Sequence, residues 1–174
     1  MHTNKRPEPG ECAPYFERYI ALTEGGNGVS LLRNGKTEIF RFLKELSPRQ
    51  WHHRYAPDKW SVAEVVLHLM DTERVFAYRA LRMARRDATP LPGFEQDDYV
   101  PFCGAEYRTR DSVLEAYAAV REATIALFEN MDDEMMSFAG VASGAKLTPR
   151  AAMFIIAGHE RHHLNILRER YIRQ

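Results

Sequence analysis

An all-α fold, a four-helix bundle with a short extra helix ahead of it, is what this sequence predicts, and three observations predict it. Four stretches of about 18 to 26 residues carry apolar side chains at helical spacing. Capping residues and prolines sit at the ends of those stretches. No stretch shows the sustained alternation of a strand. The chain has 174 residues, enough for one domain with a sizeable core. The expected division is a flexible arm over residues 1–10 and a single domain over residues 11–174.

The elements justify themselves in order. Glu11 to Glu24 carries Tyr15, Phe16, Tyr19 and Ile20 on one stripe and ends at Gly25-Gly26, which reads as the short extra helix. Val29 to Leu46 turns Leu32, Ile39, Phe42, Leu43 and Leu46 to one face before Ser47-Pro48 stops it. Gly35 on that face costs helix stability but lets a neighbour approach closely. Trp51 to Trp60 has turn chemistry and no period. Ser61-Val62-Ala63-Glu64 is a capping-box sequence, so the second long helix should run from there to about Arg86. Its inner face carries Val65, His68, Thr72, Val75, Arg79 and Met83, unusually polar for a core stripe.

A long irregular link from Thr89 to about Thr109 follows, of the length that tends to cover something. The third helix, from about Asp111 to Met131, turns Tyr117, Arg121, Thr124 and Phe128 inward. Asp132 to Lys146 reads as a loop or small hairpin. Thr148-Pro149 is an N-cap with proline at the first helical position, opening a fourth helix to about Tyr171.

Composition excludes several classes. Lys plus Arg equals Asp plus Glu, 24 each, so there is no cationic excess for a general nucleic-acid or membrane-surface binder. Cys12 and Cys103 form no CxxC pair, which argues against a disulfide framework or a thiolate zinc site. No apolar run reaches membrane-span length and the first residues hold no apolar signal region, so a soluble cytoplasmic protein is expected.

The chemistry concentrates in Gly158-His159-Glu160-Arg161-His162-His163. His159 and His163 lie one turn apart and about 40° apart in azimuth, on the face shared with Ala152, Ile155, Ile156 and Ile166. His162 falls on the shoulder. His68 is the histidine on the inner face of another helix, among Val65, Val66, Leu67 and Leu69. Each alone reads as a hydrogen-bonded core histidine. Three unpaired imidazoles converging in one core would be costly without a common partner, and they make an open three-ligand site suited to zinc, nickel, iron or cobalt.

Around that set, Arg79 and Arg121 project inward as candidate binders of an anionic substrate group, or as partners of core carboxylates. Asp71, one turn from His68, is a candidate proton acceptor or a solvated flank residue. Thr72 is a candidate substrate contact, or bonds back to its own helix. Glu160 projects away from His159, so the match to a zincin HExxH is superficial. His52 and His53 fall in a loop.

Trp60-Ser61, Glu64, His68-Leu69 and Asp71, followed by His159-Glu160 and His163, resemble the DinB/YfiT-like superfamily. Glu73-Arg74, Phe76, Tyr78-Arg79 and the Leu91-Pro92-Gly93-Phe94 link are also similar to that family. The resemblance runs from about Tyr15 to Tyr171. It implies an up-down-down-up bundle, often homodimeric, with His68, His159 and His163 as metal ligands. It further implies a hydrolase, or a transferase using a low-molecular-weight thiol, acting on a small-molecule substrate. The alternative is a non-catalytic metal-binding or stress-response bundle acting through dimerisation or partner binding. In that case the coordination sphere would be closed, with His162 the nearest fourth ligand.

Overall fold

A helix can start only where something replaces the acceptors that its first N–H groups lack, and this chain supplies a side chain at each long start. The computed structural model describes residues 5–172; the first four residues of the expected arm and the last two of the chain lie outside them. Arg6 donates to Ile20 O (2.6 Å), at the end of helix α1 (Pro14–Ala21). Asn27 caps α2 (Gly28–Lys44) by accepting from Ser30 N. Ser61 and Glu64 form a reciprocal capping box at α4 (Val62–Ala84). Thr109 caps α6 (Arg110–Glu129), and Thr148, followed by Pro149, caps α8 (Pro149–Ile166). The last helix then widens into a π-helical turn over Leu167–Ile172.

Shorter pieces join these. Ser47-Pro48, expected only as a stop, also starts α3 (Pro48–Trp51), because Ser47 and Gln50 form a second capping box. The link after α4 holds α5 (Gln96–Tyr99) and two 3₁₀ turns, Val100–Phe102 and Ala105–Tyr107. After α6 come α7 (Asp133–Ser137) and an antiparallel hairpin of β1 (Gly140–Ala142) and β2 (Ala145–Leu147). The hairpin turns on Ser143 and Gly144 at φ 52° and 74°, as a two-residue turn with positive φ at both positions requires. Leu91 bridges to Ala142, with Leu91 N donating to Val141 O and Ser143 N donating to Leu91 O, so the link is pinned to the hairpin at its start.

Four long helices make the bundle, and their contacts fix its sense. α2 packs on α6 and α8, and α4 packs on α6 and α8, so helices α2 and α4 stand diagonally opposed. Arg33 pairs with Glu129 and Lys36 with Glu122, making α2 and α6 antiparallel. Gly28 lies at Met153, Gly35 at Glu160 and Glu38 at Arg168, making α2 and α8 parallel. Met83 meets Gly140 just ahead of α8, whereas Tyr171 beyond α8 donates to Trp60 O, making α4 and α8 antiparallel. The order is up-down-down-up. Parallel α4 and α6 oblige the link between them to travel the length of α4, about 34 Å at 1.5 Å per residue.

The core is two apolar halves separated by a polar belt. Phe76, Met83, Ile125, Phe128, Met153 and Phe154 belong to one half. Ile39, Leu43, Trp51, Val66, Val113 and Leu167 belong to the other. At mid-height Arg121, 1 % exposed, uses all five of its N–H groups. It binds Glu73 through Nε (2.9 Å) and Nη2 (2.8 Å), Glu160 through Nη2 (2.6 Å) and Nη1 (3.2 Å), and Leu32 O through Nη1 (2.9 Å). Tyr117 donates its hydroxyl to Glu160. One guanidinium therefore ties α2, α4, α6 and α8 together. On α8, Gly158 gives α1 its seat: a Cβ there would lie 1.9 Å from Tyr19 O.

Candidate metal centre

The other half of the polar belt is three imidazoles between α4 and α8. His159 Nε2 lies 3.1 Å from His68 Nε2 and 3.1 Å from His163 Nε2, and the ligand atoms of all three lie within 4.8 Å of one another. The rings meet edge-on, with centroids 4.6 to 5.1 Å apart. Three Nε2 atoms thus face one point. A neutral imidazole nitrogen is either one donor or one acceptor, so His159 Nε2 cannot satisfy both neighbours by hydrogen bonding.

A shared cation would resolve that conflict. Imidazole nitrogens about 2.0–2.1 Å from a transition-metal ion stand roughly 3.0–3.4 Å from one another, and the two 3.1 Å spacings to His159 fit. The protonation state fits as well. Burial lowers His68 to about 4 and His163 to about 3, the neighbouring imidazoles adding to the effect at His163. His159 is pushed well below its ordinary value by burial and then by His163 and His68. All three are therefore neutral near pH 7, with lone pairs to give.

The surroundings fix the rings. Thr72 Oγ1 lies 3.4 Å from His68 Nδ1, one turn along α4, at the long end of hydrogen-bonding range. A proton on Nδ1 directed at Thr72 leaves the Nε2 lone pair facing the centre. The Trp60 ring sits 4.9 Å from His68, and the Tyr19 ring meets His159 edge-on at 5.2 Å. His162 is half-buried on the shoulder, against Tyr19 and the outer side of His163. His52 is exposed, and His53 faces Tyr171.

The centre opens on a cavity of about 330 Å³. His159, Thr72 and Ile155 form its inner end, Phe16 and Tyr19 of α1 one wall, and Phe76 and Phe94 another. Phe94, Glu95, Gln96 and Asp97 bring the link over it, while Tyr99, Val100 and Cys103 close a narrow cleft beside His68 and Asp71. The long link thus lines both the cavity and the cleft.

The remaining expected residues part ways. Arg79 reaches the cavity: it is 3 % exposed, and its Nη2 donates to Pro92 O and Ser143 Oγ, both at 2.9 Å. Thr72 reaches both the cavity and His68. Arg121, the other expected substrate contact, does not line the cavity, because Glu73, Glu160 and Leu32 O consume every donor it has. Asp71 does not line it either; it pairs with Arg74 Nη1 at 3.0 Å and borders the narrow cleft beside His68 instead. Glu160 points from α8 into the Arg121 network, away from the histidines.

Sequence reasoning missed Tyr19, Ser143 and Phe94 as parts of the site. Tyr19 and Phe16 carried a signal, an aromatic stripe on a helix too short for a core of its own. Ser143 carried none, since its role comes from a turn that folds back across the end of α4.

Residues 31–167 match the family model of the DinB superfamily. The fold is similar to that of YfiT from Bacillus subtilis, a protein described as a probable metal-dependent hydrolase with an unusual four-helix bundle topology. That likeness has a TM-score of 0.72 at 14 % identity, covering 95 % of this chain and 90 % of the other. No curated protein matches the chain. Among the described residues no helix is long and apolar enough to cross a membrane.

Proposed function

The chain belongs to the DinB superfamily, and from that premise we propose that it is a metal-dependent hydrolase of small molecules. The observation that carries the proposal is the convergence of three neutral Nε2 atoms, one of which, on His159, belongs to a residue lining a cavity. His68, His159 and His163 would hold a divalent transition ion, zinc, nickel or iron, by a soft-to-borderline nitrogen set. Such an ion supplies Lewis acidity, lowering the pKa of a nucleophile and stabilising negative charge on the substrate. The chain's own part is positional. Thr72 holds the His68 ring, burial keeps the imidazoles unprotonated, and the link excludes water from the covered side.

Two observations weigh between variants of this reading. The cavity is at the small end of the range for small-molecule sites, about 300–1,000 Å³, so it suits one small substrate rather than a substrate together with a bulky thiol. This favours water over a low-molecular-weight thiol as nucleophile. His162, the fourth ligand that a closed structural site would need, falls outside the group of imidazoles whose nitrogens converge, which disfavours the non-catalytic alternative.

Elemental analysis of untagged wild type, His68→Ala and His163→Ala tests the proposal, with circular dichroism as the control for folding. The expected result is about one equivalent of a transition metal in wild type, lost in both folded variants, with hydrolysis of small esters or amides lost alongside it. Undiminished metal in the variants, or none in reconstituted wild type, overturns it.

A further inference from the structure

Arg79 is the buried charged group of the cavity for which, among the described residues, the fold supplies no counter-ion; Glu95 and Asp97, on the same cavity, are exposed. Among the described residues no carboxylate lies in ion-pair range of it, although Arg121, equally buried, has two. Its Nη2 is spent on Pro92 O and Ser143 Oγ. Its Nε and Nη1 have no protein partner, yet no fully buried side-chain nitrogen or oxygen among the described residues lacks one. Those donors therefore keep access to the cavity that Arg79 lines. Burial lowers the Arg79 pKa, the mark of a cation stripped of water and left without an anion.

The guanidinium is also held. Two hydrogen bonds anchor it to the start of the link and to the hairpin turn, and it packs 5.2 Å from the Phe76 ring and 5.8 Å from the Phe94 ring. These contacts orient its free edge towards whatever occupies the aromatic-walled space. The space between Arg79 and the histidines is lined by Phe16, Tyr19, Phe76 and Ile155. Arg79 stands seven residues beyond Thr72, about 10 Å further along α4.

We infer that the substrate is a small monocarboxylic acid with an aromatic or similarly flat apolar body, its carboxylate on Arg79 and its reacting bond at the histidine end. The inference rests on the histidine centre being the reacting end. A single guanidinium matches a single negative charge. Glu95 and Asp97, on the same cavity, repel a dianion such as a phosphate monoester about twice as strongly as a carboxylate. The separation along α4 makes the carboxylate a handle, several bonds from the group that reacts.

Equilibrium binding of 3-phenylpropionate against 3-phenylpropanamide tests this without any turnover. Wild type, Arg79→Gln and Arg79→Lys are titrated by calorimetry, each metal-free and zinc-loaded. The expected result is a preference of about tenfold or more for the carboxylate in metal-free wild type, lost in Arg79→Gln and partly kept in Arg79→Lys. Equal binding of acid and amide by metal-free wild type overturns the inference, whatever the variants do. So does a preference that appears only with zinc and persists in Arg79→Gln, because the anion then goes to the histidine centre. Because the metal-free arm needs no ion, failure of the metal reading and failure of the carboxylate reading give different results.

Discussion

Gly35 of α2 and Glu160 of α8 fit as a hole and a knob: a Cβ on residue 35 would lie 1.9 Å from Glu160 Oε1, an oxygen already bound to Arg121. The absent side chain lets the carboxylate pass between the helices and reach the guanidinium. Gly35→Ala therefore displaces Glu160 from Arg121. Alanine gains about 1 kcal/mol of helix propensity, but overpacking and the lost ion pair outweigh it. The expected net loss is about 1–3 kcal/mol, read from the midpoint of urea unfolding.

Removing the guanidinium itself is more damaging. Arg121→Leu leaves Glu73 and Glu160 facing each other in the core with no cation. The expected loss is about 3–5 kcal/mol, as for other buried pairs stripped of one partner. Arg121→Leu combined with Glu73→Gln and Glu160→Gln should recover much of it. A triple variant no more stable than the single one in urea denaturation would show that the network acts by shape rather than by charge.

Acid should destabilise the metal-free protein in a defined window. His68 and His163 titrate at about 4 and about 3 in the folded state, against about 6.5 in an unfolded chain. Between those values the unfolded state binds more protons, so stability rises with pH through the window and is complete above about 6.5. His68 alone accounts for roughly 3 kcal/mol between pH 6.5 and 4. Thermal denaturation of metal-free wild type and His68→Phe over that range measures it, and the variant should show a shallower pH dependence.

Thr72→Val should loosen the centre without emptying it, because the valine keeps the shape and withdraws the hydroxyl from His68 Nδ1. Loss of such an orienting partner costs about 10- to 100-fold in metal affinity. Trp60, beside His68, offers the readout. Cobalt should quench its emission in wild type, quench the Thr72→Val protein only at higher concentration, and quench the Trp60→Phe protein least, since Trp60 is the indole that stands against His68.

The long helices were legible because their caps and their apolar periods agree. Ser61 with Glu64 and Thr148 with Pro149 mark starts that local chemistry alone decides. His68, His159 and His163 were legible as a group because an imidazole on an apolar face stands out at any spacing. What separates Arg79 from Arg121 was not legible. Both occupy inward positions of long helices, and their fates depend on carboxylates 39 and 48 residues from Arg121 in sequence. Asp71 was ambiguous for a related reason: its azimuth placed it on a flank, and the nearby Arg74 decided which way it turned. The start of α3 stayed hidden because Ser47-Pro48 ends one helix and begins the next with the same two residues.

The helix α1, seated on Gly158, lies ahead of residues 31–167, the part shared with the superfamily. It brings Phe16 and Tyr19 to the cavity, whereas the three histidines come from the shared part. One wall of the cavity and the proposed metal ligands are thus written in separate passages of the chain, while Phe76, Arg79 and Phe94 bring the rest of the lining from the shared part. A relative with the same histidines and a different leading helix would keep the three-imidazole centre behind a differently shaped opening, and exchanging that one helix between relatives would change which molecules fit the cavity without touching the centre.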